Sequence, residues 1–132
     1  MIQMRRDDNM SVSLLFDQDG LTILTEAMLC SEDDTANNVE VSFDKSILTL
    51  KKKSPIVETI ILIRRGKATS LSLDGENIAW ALTDEDRECL VTRFKQCKSD
   101  GTFTPAELIR VQVPKNKKLD YVYGKLAQDM MG

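Results

Sequence analysis

The stretch from Ile78 to Gly101, IAWALTDEDRECLVTRFKQCKSDG, constrains the fold more than any other part of the chain. It reads as a buried strand running directly into an amphipathic helix. Thr83 stands where an N-cap oxygen is needed, and Asp84, Glu85 and Asp86 bring negative charge to the positive end of the helix dipole. Leu90, Val91, Phe94 and Cys97 recur at three- and four-residue steps, which makes one apolar stripe. Ser99-Asp100-Gly101 ends the helix, because glycine accepts the positive φ of a helix C-terminus. A single-striped helix needs a surface to pack on, and the rest of the chain offers short strands to build it.

Ser11 to Phe16 alternates, with Val12, Leu14 and Phe16 on one face. Asp17-Gln18-Asp19-Gly20 then carries turn chemistry, and Leu21 to Leu29 reads either as the return strand of a hairpin or as a helix striped by Leu21, Leu24 and Met28. Val39 to Phe43 alternates again, and Ile47 to Lys53 follows as a strand after the turn Asp44-Lys45-Ser46. Ile56 to Ile63, IVETIILI, is apolar on both faces, as befits a central strand. Thr69 to Leu73 and Asn77 to Leu82 complete the set. Thr104-Pro105-Ala106-Glu107 is a capping-box signature that predicts a short helical turn through Ile109. Leu119 to Met131 reads as a last helix or as a strand around Asp120 to Tyr123.

The expected fold is therefore α+β: an antiparallel β-meander of five to seven short strands, one main helix at about residues 83–98 packed on it, and a short C-terminal helical segment. Residues 1–10 read as a flexible leader and residues 11–132 as one domain. No internal sequence repeat stands out.

Composition narrows the chemistry. The chain has no histidine, which removes Ser-His-Asp and Cys-His nucleophile schemes and the common zinc sites. Cys30, Cys89 and Cys97 include no C-x-x-C pair and read as free thiols. Asp17-x-Asp19-Gly20 begins like a calcium loop, but Met28 stands where the twelfth-position glutamate belongs. No glycine-rich phosphate loop is present, so no cofactor and no metal is expected. No apolar run approaches the ~18 residues of a membrane helix, and a cytoplasmic protein is the expectation.

Charge is unevenly placed. Residues 1–50 hold three basic and ten acidic side chains, whereas residues 51–67 hold six basic and one acidic. Lys51, Lys52 and Lys53 on one side and Arg64, Arg65 and Lys67 on the other make two small patches without interleaved aromatics, a poor match for nucleic acid. The acidic loop residues Glu32, Asp33 and Asp34 with Glu40 form one candidate partner surface; Tyr121 and Tyr123, which share a face if extended, form a second. Trp80 is expected in the core.

The segment Asn77 to Leu126, with its strand tryptophan, Thr-capped helix and Thr-Pro-Ala-Glu turn, resembles the small acidic immunity proteins that bacteria pair with secreted toxins in contact-dependent competition. The resemblance implies an inhibitor that blocks a cognate toxin's active site through a charged surface and needs no catalytic group. A chaperone or adaptor for a secreted or phage protein is the alternative, and a small metal-dependent enzyme using carboxylates ranks below both. A monomer is expected. Steering by opposite charges would then set the rate of association with the partner.

Overall fold

The structure is a computed structural model that describes residues 1–8, 10–30, 37–48, 56–103, 106–114 and 119–126. Eight strands and two helices follow in the order β1 (Ile2–Arg6), β2 (Ser11–Phe16), α1 (Gln18–Cys30), β3 (Asn37–Asp44), β4 (Ile56–Arg65), β5 (Ser70–Asp74), β6 (Asn77–Leu82), α2 (Asp84–Asp100), β7 (Glu107–Arg110) and β8 (Tyr121–Leu126). A 3₁₀ turn at Lys45–Ile47 follows β3. The strands form one curled sheet, a half-barrel, in the order β5-β6-β4-β3-β1-β2-β8-β7.

The best-specified stretch folds as its chemistry dictates. Thr83 has extended backbone angles, and its hydroxyl accepts the Asp86 N–H at 3.1 Å. Gly101 has φ 75° and donates its N–H to the Cys97 carbonyl at 2.8 Å. Leu90, Val91, Phe94 and Cys97 are buried as the stripe requires. Ser11–Phe16, the Val39–Phe43 segment and the Ile56–Ile63 segment are strands, and the last lies inside the sheet between β6 and β3.

The antiparallel meander is overturned. Three of the strand pairs are parallel: β1 with β3, β2 with β8 and β4 with β6. Alternation of apolar residues fixes which face a strand buries, but it says nothing about which strand lies beside it. Chain reversals through α1 and α2 let strands far apart in sequence become neighbours. Leu21 to Leu29 is helix, as part of α1, not the return strand of a hairpin. The Asp17 carboxylate, read as turn chemistry, caps α1 by accepting the Gly20 N–H at 2.7 Å. Gly20 then lies in the first turn, where an added Cβ would collide with the Met1 carbonyl. Ile2–Arg6, expected within a loose leader, is β1, held between β2 and β3 with Ile2 and Met4 buried.

The short helix expected through Ile109 is instead β7, whose Leu108 and Ile109 are both buried. Burial of these side chains against the core outweighs the capping signal; Thr104 and Pro105 themselves lie outside the described residues. The last expected helix resolves as the strand β8, while residues 127–132 are outside the description. Of the expected strand from Ile47, Ile47 belongs to the 3₁₀ turn and Lys51, Lys52 and Lys53 lie outside the described residues.

The topology contains a repeat that the sequence does not display. β1-β2-α1-β3-β4 and β5-β6-α2-β7-β8 are two ββαββ halves with the same pairings. β1/β2 and β5/β6 are antiparallel, as are β3/β4 and β7/β8. The parallel β1/β3 pair has its counterpart in a parallel bridge from Ser70 to Gln112, just past β7. The two seams between halves also match. Ile61 faces Ile78 and Ile63 faces Trp80 at one; Val122 faces Val12 and Gly124 faces Leu14 at the other. The helices begin alike too, each capped by the residue after its strand, Asp17 and Thr83. The halves are thus related by an approximate two-fold rotation, and α1 packs against α2 inside the curl. Phe16, Phe94 and Phe103 meet there, with ring centroids 5.5 Å apart for Phe16–Phe94 and 5.6 Å for Phe16–Phe103, both edge-on.

Candidate functional site: a cleft beside β3

In each half the first strand meets the chain of the third over one short stretch. In the second half, Gln112 is tied to β5 by two backbone hydrogen bonds. The Leu71 N–H donates to the Gln112 carbonyl and the Gln112 N–H to the Thr69 carbonyl, both at 2.9 Å. This joins the two outer edges of the sheet. In the first half, β1 lies opposite only Ser42 and Phe43 of β3. β3 continues backward as Val41, beside Ile2, and Glu40, beside Met1, and then as Val39 and Asn38, beyond the start of β1. Among the described residues no strand pairs with these last two on that side. On the other side all of β3 is paired with β4.

A cleft of about 700 Å³ lies along this unpaired edge, lined by Met1, Ile23, Glu40, Val41, Glu58 and Ile60 among others. Each lining side chain is placed by a local rule. The antiparallel register sets Glu40 opposite Ile60 and Ser42 opposite Glu58, so all four project from one face of the sheet. Ile23 stands on the exposed side of α1 and Met1 at the start of the chain, both about half exposed. The Met1 ammonium is held by the Asp17 carboxylate at 2.7 Å, which keeps the chain start against α1. That contact, reinforced by the Gly20 N–H, holds the Asp17 carboxyl below the ordinary carboxylate range.

Charge in the cleft has one sign in its side chains. Glu58 accepts a hydrogen bond from the Ser42 hydroxyl at 2.6 Å. Glu40 is exposed, and its carboxylate makes no ion pair or hydrogen bond among the described residues. Among the described residues no lysine or arginine lines the cleft. The corresponding place in the second half is different. There Arg110 lies in the strand position that Glu40 holds in the first. It is paired with Asp120 through two contacts, 3.2 and 2.5 Å. This pair raises the Arg110 pKa. Beside it the Thr69 hydroxyl donates to Asp86. Arg110 thus has a carboxylate partner, whereas its counterpart Glu40 has no cationic one among the described residues.

The sequence-predicted site residues are only partly brought together. Glu40 lies in the cleft; Glu32, Asp33 and Asp34 lie outside the described residues. Tyr121 and Tyr123 do share one face, with ring centroids 6.3 Å apart, and Arg110 stacks over Tyr121 at 5.4 Å. They stand on β8, with β1 and β2 between them and β3. That is three strand spacings, about 14 Å at ~4.8 Å each, so they are not part of the cleft. Trp80 is fully buried. Sequence reasoning missed Ile23, Glu58 and Ile60. Glu58 and Ile60 share a face in the alternation of IVETIILI, but only the pairing with β3 sets them beside Glu40.

The chain matches no protein-family model, no curated protein and no solved structure. Among the described residues, no three His, Cys, Asp or Glu side chains are grouped to hold a metal ion, and no helix is long and apolar enough to cross a membrane. Cys97 is buried, whereas Cys30 and Cys89 are exposed free thiols.

Proposed function

We propose that the chain is a non-catalytic protein-binding module that inhibits a basic partner protein, as an immunity protein does its toxin. The observation that supports this reading is the cleft beside β3, where two carboxylates and several apolar side chains meet without a basic residue among the described ones. Such a surface suits a cationic partner. Opposite charges speed encounter, and apolar contact at the centre supplies affinity that salt does not screen. Glu40 on a strand paired along its whole length with β4 is well held for this purpose.

The test is affinity purification with a tagged full chain, in parallel for the native sequence and for Glu40→Lys/Glu58→Lys. The reading predicts one stoichiometric basic partner, toxic when expressed alone and silenced by this chain. The reversed variant should bind it about 100-fold more weakly at low salt, with a smaller difference at high salt. Equal binding by the two forms contradicts the charged-surface reading. A partner that is harmless alone and is exported or built into a larger assembly makes the chain a chaperone or adaptor instead.

A further inference from the structure

The cleft has a strand edge along one wall, and that decides how a partner can enter it. In the second half the backbone of Gln112 points both its N–H and its carbonyl at β5. Ser42 holds the same place in the first half, opposite β1. Backbone groups along a strand turn to alternate sides, so Glu40 and Asn38 direct theirs the same way as Ser42, into the cleft. The Glu40 N–H and the backbone groups of Asn38 lie beyond the start of β1, where no described strand faces them. Unpaired strand groups of this kind are a template for another strand.

We propose that a partner inserts an extended segment into this cleft, in line with β1, and pairs with Asn38 to Glu40 of β3. This rests on the proposed binding function and adds its mode: strand addition at one defined edge, by a segment that alternates apolar and basic residues. The alternation follows from the walls. Side chains of an added strand project to opposite faces in turn. On the face shared by Glu40 and Glu58 they meet carboxylates, which selects lysine or arginine. On the other they meet Val39, Val41 and Ile23, which selects aliphatic side chains. In the second half the counterpart of Glu40 is Arg110, a cation paired with Asp120, so the two-fold relation does not create a second site for a basic segment.

The experiment titrates the full chain with an acetylated ten-residue peptide that alternates valine and lysine, and follows backbone amides by NMR. Three further peptides serve as controls: a scrambled sequence, one with glutamate for lysine, and one with every second backbone nitrogen methylated. The inference predicts shifts concentrated at Asn38 to Glu40 and slowed exchange of the Glu40 amide. It predicts about tenfold weaker binding for the methylated and the glutamate peptides. In Glu40→Lys the preference between lysine and glutamate peptides should shrink or reverse. Equal binding of the methylated peptide means charge attraction without strand pairing; it overturns the inference while leaving the binding function intact. Absence of any binding, or shifts away from β3, also overturns it. The proposed function fails by a different result, a captured partner indifferent to reversal of Glu40 and Glu58.

Discussion

Trp80→Ala is expected to lower the unfolding free energy by about 3–5 kcal/mol, a large share of the ~5–15 kcal/mol that holds a domain of this kind together. Trp80 is fully buried in the middle of β6, facing Ile63 of β4 on one side and Leu71 of β5 on the other. Both neighbours are themselves fully buried, so the walls around a deleted indole have little freedom to close. The native residue also carries a cost. Its Nε1–H is buried with no acceptor among the described residues, and such a donor costs about 1–3 kcal/mol. Trp80→Phe removes that donor and keeps most of the apolar contact. It is therefore expected to cost less than half as much as the alanine change. Urea unfolding followed by far-ultraviolet circular dichroism measures both; an alanine variant as stable as the native chain contradicts the packing described for β6.

The second large effect is expected at Gly124 and Phe103, and it takes the form of coupling. Gly124 on β8 occupies the place that Ile63 holds on β4, so one half of the molecule has a large side chain where the other has none. Phe103 fills the vacant space: a Cβ built on Gly124 would lie 2.6 Å from its ring. The ring cannot simply swing away, because Phe16 packs edge-on against it and Arg93 lies over it at 4.4 Å. Gly124→Ala is expected to cost about 1–3 kcal/mol by overpacking. Phe103→Ala is expected to cost about 3–5 kcal/mol. In the double variant the added methyl enters space that the ring has left. The combined cost should fall short of the sum of the two by about 1 kcal/mol or more. Strict additivity in equilibrium unfolding contradicts the contact.

How much of this was legible in the sequence follows from what each signal reports. Caps and stops are local, so Thr83 and Gly101 bounded α2 correctly. Alternation is also local, and it placed Val12, Leu14, Phe16, Val39 and Val41 in the core. Strand neighbours are not local, and the meander failed on them. The chain brings β4 beside β6 and β2 beside β8, pairings that no turn motif announces. Two signals conflicted within a few residues and misled. Asp17-Gln18-Asp19-Gly20 has the composition of a turn, yet Asp17 is a cap and Gly20 is small so that the chain start can approach α1. The two-fold relation was hidden because equivalent places have diverged in size and charge: Leu14 stands where Trp80 does, Ile63 where Gly124 does, and Glu40 where Arg110 does. The cleft inherits that opacity. Glu40 was visible as an exposed acidic residue on a strand. Its neighbours Glu58, Ile60 and Ile23 come from other elements, and only the register between β3 and β4 and the seating of α1 unite them.

The edge proposed for docking runs along Asn38 and Glu40 beyond the start of β1, and amide hydrogen exchange of the full chain alone measures directly how open it is. The Gln112 and Leu71 N–H groups bond across the joined edges and should exchange slowly, at rates near those of the core strands. The Glu40 N–H faces the cleft with no described strand opposite it and should exchange about 100-fold faster or more than Gln112. A Glu40 amide as protected as that of Gln112 would contradict the open edge on which the proposed binding mode rests.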